Sequence, residues 1–119
     1  MRIMTEAFKD KSFFVPLSKD KSEGVFVRPV TATLRRQVQQ EAIKEAGADT
    51  SIAEFYAVVK LLQKGLTGWQ GFVDMTGGEI PFSAEMVKEL CECDPDFMAG
   101  LATRIQHVAR MGELEDRKN

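Results

Sequence analysis

The stretch from Ser51 to Leu66 constrains the fold more than any other part of this chain. Ile52, Phe55, Tyr56, Val59, Leu62 and Leu66 recur at three- and four-residue steps, and Ala57, Val58 and Leu61 widen the apolar arc further. A helix apolar around so much of its circumference has to be covered from several sides. The pattern therefore predicts a central helix over 51–66 with the rest of the chain wrapped on it. Ser51-Ile52-Ala53-Glu54 reads as its capping box, Glu54 answering the amide of Ser51, and the break comes at Gly65 to Gly68.

Three more helices follow from spacing and end signals. Thr31 or Thr33 caps a segment over 32–46 in which Leu34, Val38, Ala42 and Ala46 recur every four residues with Ile43 beside them. Gly47 stands where a left-handed helix end favours glycine. Ser83 caps a helix over 83–92, with Glu85 near the positive end of its dipole and Met86, Val87, Leu90 and Cys91 on its inner face. Asp94-Pro95 opens the last helix, 95–111, as an aspartate cap followed by proline in the first turn. Phe97, Met98, Leu101, Ile105, Val108 and Met111 carry its apolar spacing.

The remaining extended runs are short. Residues 13–17 and 25–30 are β-prone and joined by the polar, glycine-ended SKDKSEG, which suits a hairpin whose apolar face (Phe14, Val25, Val27) packs on the helices. A proline in each run points to edge or short strands. Between the central helix and Ser83, Gly68 and Gly71 flank the single tryptophan, Trp69. Phe72-Val73 and Ile80-Pro81-Phe82 bracket the turn residues 74–79, allowing a second small hairpin. The expected fold is mainly α, α+β at the margin: about four helices (32–46, 51–66, 83–92, 95–111) and an N-terminal hairpin. The 119 residues suffice for one domain, 1–119, with flexible ends at 1–12 and 113–119.

Composition narrows the function classes. Apolar residues at 44% and charged residues at 29% belong to an ordinary globular protein, and a net charge of −2 offers nucleic acid no bulk positive field. No apolar run approaches the roughly 20 residues that span a bilayer, and the charged N-terminus lacks the apolar centre of a signal peptide. Cys91 and Cys93, two apart on a helix, diverge too widely to pair and read as reduced thiols. With His107 they make too few ligands for zinc. His107 has no partner motif, and Asp94/Asp96 and Glu113/Glu115 read as solvated helix-end charges. Gly77-Gly78 lacks the rest of a phosphate-binding fingerprint. The chain is expected to be no enzyme and to hold no metal or cofactor.

Binding is the better expectation. Six methionines and eight phenylalanines in so small a domain suit a surface that accommodates an apolar partner. Trp69, Phe72, Phe82, Met86 and Met98 are the candidate contact residues, against the simpler reading that the methionines fill the core and Trp69 pins a structural corner, Leu66–Leu90, between the central helix and the two C-terminal helices.

The series Gly68-Trp69-Gln70-Gly71-Phe72, a glycine turn at 77–78, and Ile80-Pro81-Phe82-Ser83-Ala84-Glu85 leading into an apolar helix resembles small phage tail assembly chaperones over about residues 50–108. The preceding helix and the Asp-Pro helix after it fit the same family. The resemblance implies a non-catalytic protein of a phage or prophage tail operon, working in the host bacterial cytoplasm. It would bind the tape measure protein and tail tube subunits before the tube polymerises. Many such proteins carry a frameshifted C-terminal extension, which here would follow Asn119. Two other classes are a virion adaptor or tail completion subunit, and a helical DNA-binding regulator suggested by Arg35-Arg36.

Overall fold

A computed structural model of the chain describes residues 11–111, with side chains described as far as His107. In chain order it runs β1 (Phe13–Pro16), β2 (Gly24–Val27), α1 (Ala32–Ala46), α2 (Thr50–Gly65), β3 (Leu66–Gln70), α3 (Ala84–Cys93) and α4 (Pro95–Met111). The fold is mainly α with an antiparallel three-stranded sheet in the order β1-β2-β3. The flexible ends expected at 1–12 and 113–119 lie almost wholly outside the described residues, as do the side chains of Val108 and Met111.

The central helix is where its apolar arc put it. α2 packs against α1, α3, α4 and β3, burying Val59, Leu61, Leu62 and Gly65. It differs from expectation at its start. Asp49, two residues before Ser51, is the cap: its Oδ1 accepts from the amides of Ser51 (3.0 Å) and Ile52 (3.4 Å) and from the Ser51 hydroxyl (2.7 Å). Ser51 thus supports the capping aspartate and Glu54 has no part in it. Ile52, one residue inside, is 41% exposed and lies outside the core arc.

At its other end α2 runs straight into a strand. The break expected at Gly65 to Gly68 comes at Gly65 and leads at once into β3, paired with β2 through Gly24–Gln70, Val25–Trp69, Phe26–Gly68 and Val27–Leu66, with a bulge between Phe26 and Val27. The chain after β2 returns to the same junction: Arg28 donates its amide to the Gly65 carbonyl (2.9 Å) and its Nε–H to the Lys64 carbonyl (2.7 Å). A guanidinium thus meets the negative end of the α2 dipole.

The N-terminal hairpin forms in shorter strands than 13–17 and 25–30, because Leu17 closes the turn and Pro29 falls beyond β2. Pro16 sits on an edge strand, where a missing donor costs little. The inward face is Phe13 and Val15 opposite Val27 and Val25, and Phe14 is on the other face against Phe26, ring centroids 5.0 Å apart. Alternation settles this: Phe14 cannot share a face with its direct neighbours Phe13 and Val15.

The other helix ends fall as expected. Thr31, not Thr33, caps α1, Gly47 takes φ +68° at its end, and Ser83 caps α3. Asp94 closes α3 and opens α4, its carboxylate accepting from the Phe97 amide (3.4 Å). Met98, Leu101 and Ile105 of α4 are buried, but Phe97 is 45% exposed and turns away from the core stripe.

Candidate partner-binding surface

Between β3 and α3 the chain forms a hydrogen-bonded two-armed ribbon, and two of the exposed large apolar side chains, Val73 and Met75, sit on it. Its arms are joined by the Ile80 amide to the Phe72 carbonyl (2.9 Å), the Val73–Glu79 bridge, and the Asp74 amide to the Gly78 carbonyl (2.9 Å). Asp74 fastens the tip: its Oδ1 accepts from the Thr76 hydroxyl (2.6 Å), the Thr76 amide (2.9 Å) and the Gly78 amide (3.0 Å). These bonds, the Thr76 hydroxyl first, hold the Asp74 carboxyl below its ordinary 3.8 and keep it charged. Gly71, at φ +80°, starts the ribbon where its Cα faces the hairpin loop: a Cβ there would stand 2.7 Å from the Ser22 carbonyl oxygen.

An aromatic cluster anchors the ribbon to the body. The Trp69 indole N–H donates to the Ile80 carbonyl (2.7 Å), tying β3 to the far arm. Phe72 stacks on Trp69 (4.7 Å, 13°), Phe82 meets it edge-on (5.0 Å, 87°), and Phe72 in turn meets Phe97 of α4 edge-on (6.0 Å, 63°). The chain of rings runs from the sheet to the first turn of α4.

Three of the five candidate contact residues, Trp69, Phe72 and Phe82, are therefore brought together, all half-buried. Trp69 faces inward opposite Val25 and serves as the pin of the ribbon. Met86 is half-buried on α3, apart from these ring contacts. Met98 is fully buried in the core and presents no surface in this fold. The sequence reading missed the outward residues: Val73 (53% exposed), Met75 (wholly exposed) and Phe97. The available signal was a methionine inside an otherwise polar turn, Asp74-Met75-Thr76-Gly77-Gly78.

Elsewhere, two shallow, open depressions lie among the described residues. One, of about 180 Å³, lies between α1, α2 and α4 over Val38, Ala57, Val58, Leu61, Ala99 and Ala102. The other, of about 260 Å³, lies over Phe55, Val58 and Cys91 with Glu54 and Asp96 at its rim. Cys91 and Cys93 are both free thiols. Burial, helped by the neighbouring Glu92 charge, pushes the Cys91 thiol up to about 11, while Cys93 is exposed. Among the described residues no group of three or more His, Cys, Asp or Glu could hold a metal ion, and no helix is long and apolar enough to cross a membrane.

The chain was compared with protein-family models, curated proteins and solved structures, and none of the three gives a match.

Proposed function

We propose that this protein is a non-catalytic tail assembly chaperone of a phage or prophage, holding the tape measure protein and tail tube subunits in the bacterial cytoplasm until the tube polymerises. The observation that carries the reading is the ribbon. Val73 and Met75 are held out to solvent on a turn fastened by Asp74, and Phe97, also exposed, meets Phe72 edge-on at the base of the ribbon. Exposed apolar side chains on a hydrogen-bonded support are suited to covering the apolar surface of another protein, which is what an assembly chaperone does for a long, aggregation-prone helical partner. The same residues, Trp69 to Glu85, carry the resemblance to tail assembly chaperones.

Co-expression tests the reading. The chain is expected to keep the tape measure protein of the same tail operon soluble when the two are produced together. A tape measure protein that aggregates equally with and without it would count decisively against the proposal. A tape measure gene immediately downstream would support it, and presence of the chain in finished virions would favour the adaptor or completion subunit instead.

A further inference from the structure

The sheet ends on β1, and the outer side of that strand is open. The Leu17 amide donates to the Glu23 carbonyl (2.8 Å), so Leu17 and Glu23 lie at a bonding position of the ladder, and alternation puts Val15–Val25 and Phe13–Val27 at the next two. Ser12, Phe14 and Pro16 therefore turn their backbone groups away from β2. Among the described residues nothing takes up the Phe14 amide and carbonyl, the Ser12 amide or the Pro16 carbonyl. Edge strands are commonly guarded by charged side chains, yet Ser12 to Leu17 carry none. Pro16 is the one guard, and it removes a single donor. β1 is also apolar on both faces: Phe13 and Val15 point into the core, and Phe14 lies half-buried on the outer face against Phe26. An added strand that alternates apolar and polar residues would set a polar side chain against one of those faces. The strand that fits is apolar on both, and β1 is itself such a strand.

We infer that β1 is a dimerisation edge, pairing antiparallel with β1 of a second copy of this chain about a two-fold axis at Phe14. In this register the two Phe14 residues exchange both of their backbone bonds, and each Ser12 amide donates to the Pro16 carbonyl of the other copy. Only Pro16, at the ends of the pairing, has no donor to give. Phe13 of one copy lies beside Val15 of the other on the inner face. On the outer face the rings run Phe26, Phe14, Phe14, Phe26 across a sheet of six strands, three from each copy. Because the same edge serves both copies, the pairing closes at two. The inference uses none of the observations behind the tail assembly reading, so either can fail alone.

Sedimentation equilibrium of the full chain is expected to show a mass that rises with concentration from 13.3 kDa toward twice that value and no further. Ser12→Pro removes an exposed, outward donor and no bond to β2, so the variant should melt with the parent at low concentration while dimerising at least about tenfold more weakly. It also gives up the exposed Ser12–Thr67 hydroxyl bond (2.7 Å); Ser12→Ala gives up that bond alone and should dimerise as the parent does. In the dimer, exchange of the Phe14 amide slows as concentration rises, and isotope-filtered NOEs connect the Phe13 Hα of one copy to the Val15 Hα of the other. A mass that stays at 13.3 kDa up to millimolar concentration would overturn the inference. So would a dimer that Ser12→Pro leaves intact, or intermolecular contacts at Val73 and Met75 or in the depression between α1 and α4. Phe14 protection that appears only when an extended segment of another protein is added would give the edge to a foreign strand and overturn it as well.

Discussion

Trp69 concentrates the residue-scale argument because its ring joins β3, both arms of the ribbon and, through Phe72, the start of α4. Trp69→Ala is expected to cost about 3 kcal/mol, the low end for a large buried aromatic because the ring is half-buried. That lowers the melting temperature by roughly 10 °C in a domain of this size. Thermal denaturation followed by circular dichroism checks it, and a shift of only a degree or two would mean that the ring does not pin the fold. The cysteines give a second residue-scale prediction. The buried, high-pKa Cys91 should stay silent toward a thiol reagent at neutral pH while the exposed Cys93 reacts. Native protein should therefore titrate as one thiol and denatured protein as two, and fast reaction of both in the native state would contradict the packing of α3. Much at this scale was legible in the sequence: Thr31, Ser83, Asp94 and Gly47 all act at helix ends. Asp49 was overlooked because Ser51 with Glu54 has the spacing of a capping box, and spacing alone cannot tell which of two nearby acceptors turns toward the amides.

The elements were read less evenly. All four helices were recoverable because each repeats its apolar residues at three- and four-residue steps between recognisable end signals. β3 was not. Its five residues, Leu66-Thr67-Gly68-Trp69-Gln70, contain a central glycine and become a strand through pairing with β2, a contact 39 to 46 positions away in sequence. The glycine is accommodated because Phe26 lies opposite it across the sheet. Exposed Phe97 escaped because helical spacing gives the stripe but not which of its members the neighbours reach, and Val73 and Met75 because they lie in the ribbon, outside any helical repeat. At this scale Gly71→Ala tests the junction between β3 and the ribbon. The substitution demands an alanine at φ +80° with its Cβ against the Ser22 carbonyl, so it should destabilise by about 1–3 kcal/mol. The Asp74 and Ile80 amides, which bond across the ribbon, should then lose protection in hydrogen exchange before those of α2 do. Unchanged melting would show that the turn takes another form.

Three loop and cap carboxylates link these elements to pH. Asp20 accepts from the Ser22 amide and from the Ser22 and Ser18 hydroxyls in the hairpin loop, Asp49 from the Ser51 hydroxyl and the Ile52 amide, and Asp74 from Thr76 and Gly78. All three lie below the ordinary value of 3.8 in the folded chain. A carboxylate whose folded pKa is lowered contributes stability that is complete above the unfolded value and disappears as pH falls through the folded one. Melting temperature should therefore drop in acid below about 3.8, and a variant with Asp20→Asn, Asp49→Asn and Asp74→Asn should show a shallower drop. Parallel acid profiles for the two proteins would contradict these bonds. Asp49→Ala should also cost more melting temperature at neutral pH than Ser51→Ala.

For the whole molecule, the division of labour matters most. α2 and the sheet bury the core, and two ion pairs between α1 and α2, Lys60–Glu45 (3.3 Å) and Lys64–Glu41 (3.7 Å), add at most about 1 kcal/mol each at their exposed positions. The ribbon and the α3–α4 junction hold a surplus of negative charge around apolar side chains that the core does not use. Stability and binding should therefore be separable by mutation. The direct measurement is a paired one on the parent chain, on Val73→Thr with Met75→Ser, and on Trp69→Ala: melting temperature together with capture of co-expressed tape measure protein from the soluble fraction. The ribbon variant is expected to melt with the parent while losing most of the captured partner, and Trp69→Ala to melt roughly 10 °C lower. Capture by the ribbon variant equal to that of the parent, at equal stability, would contradict the account.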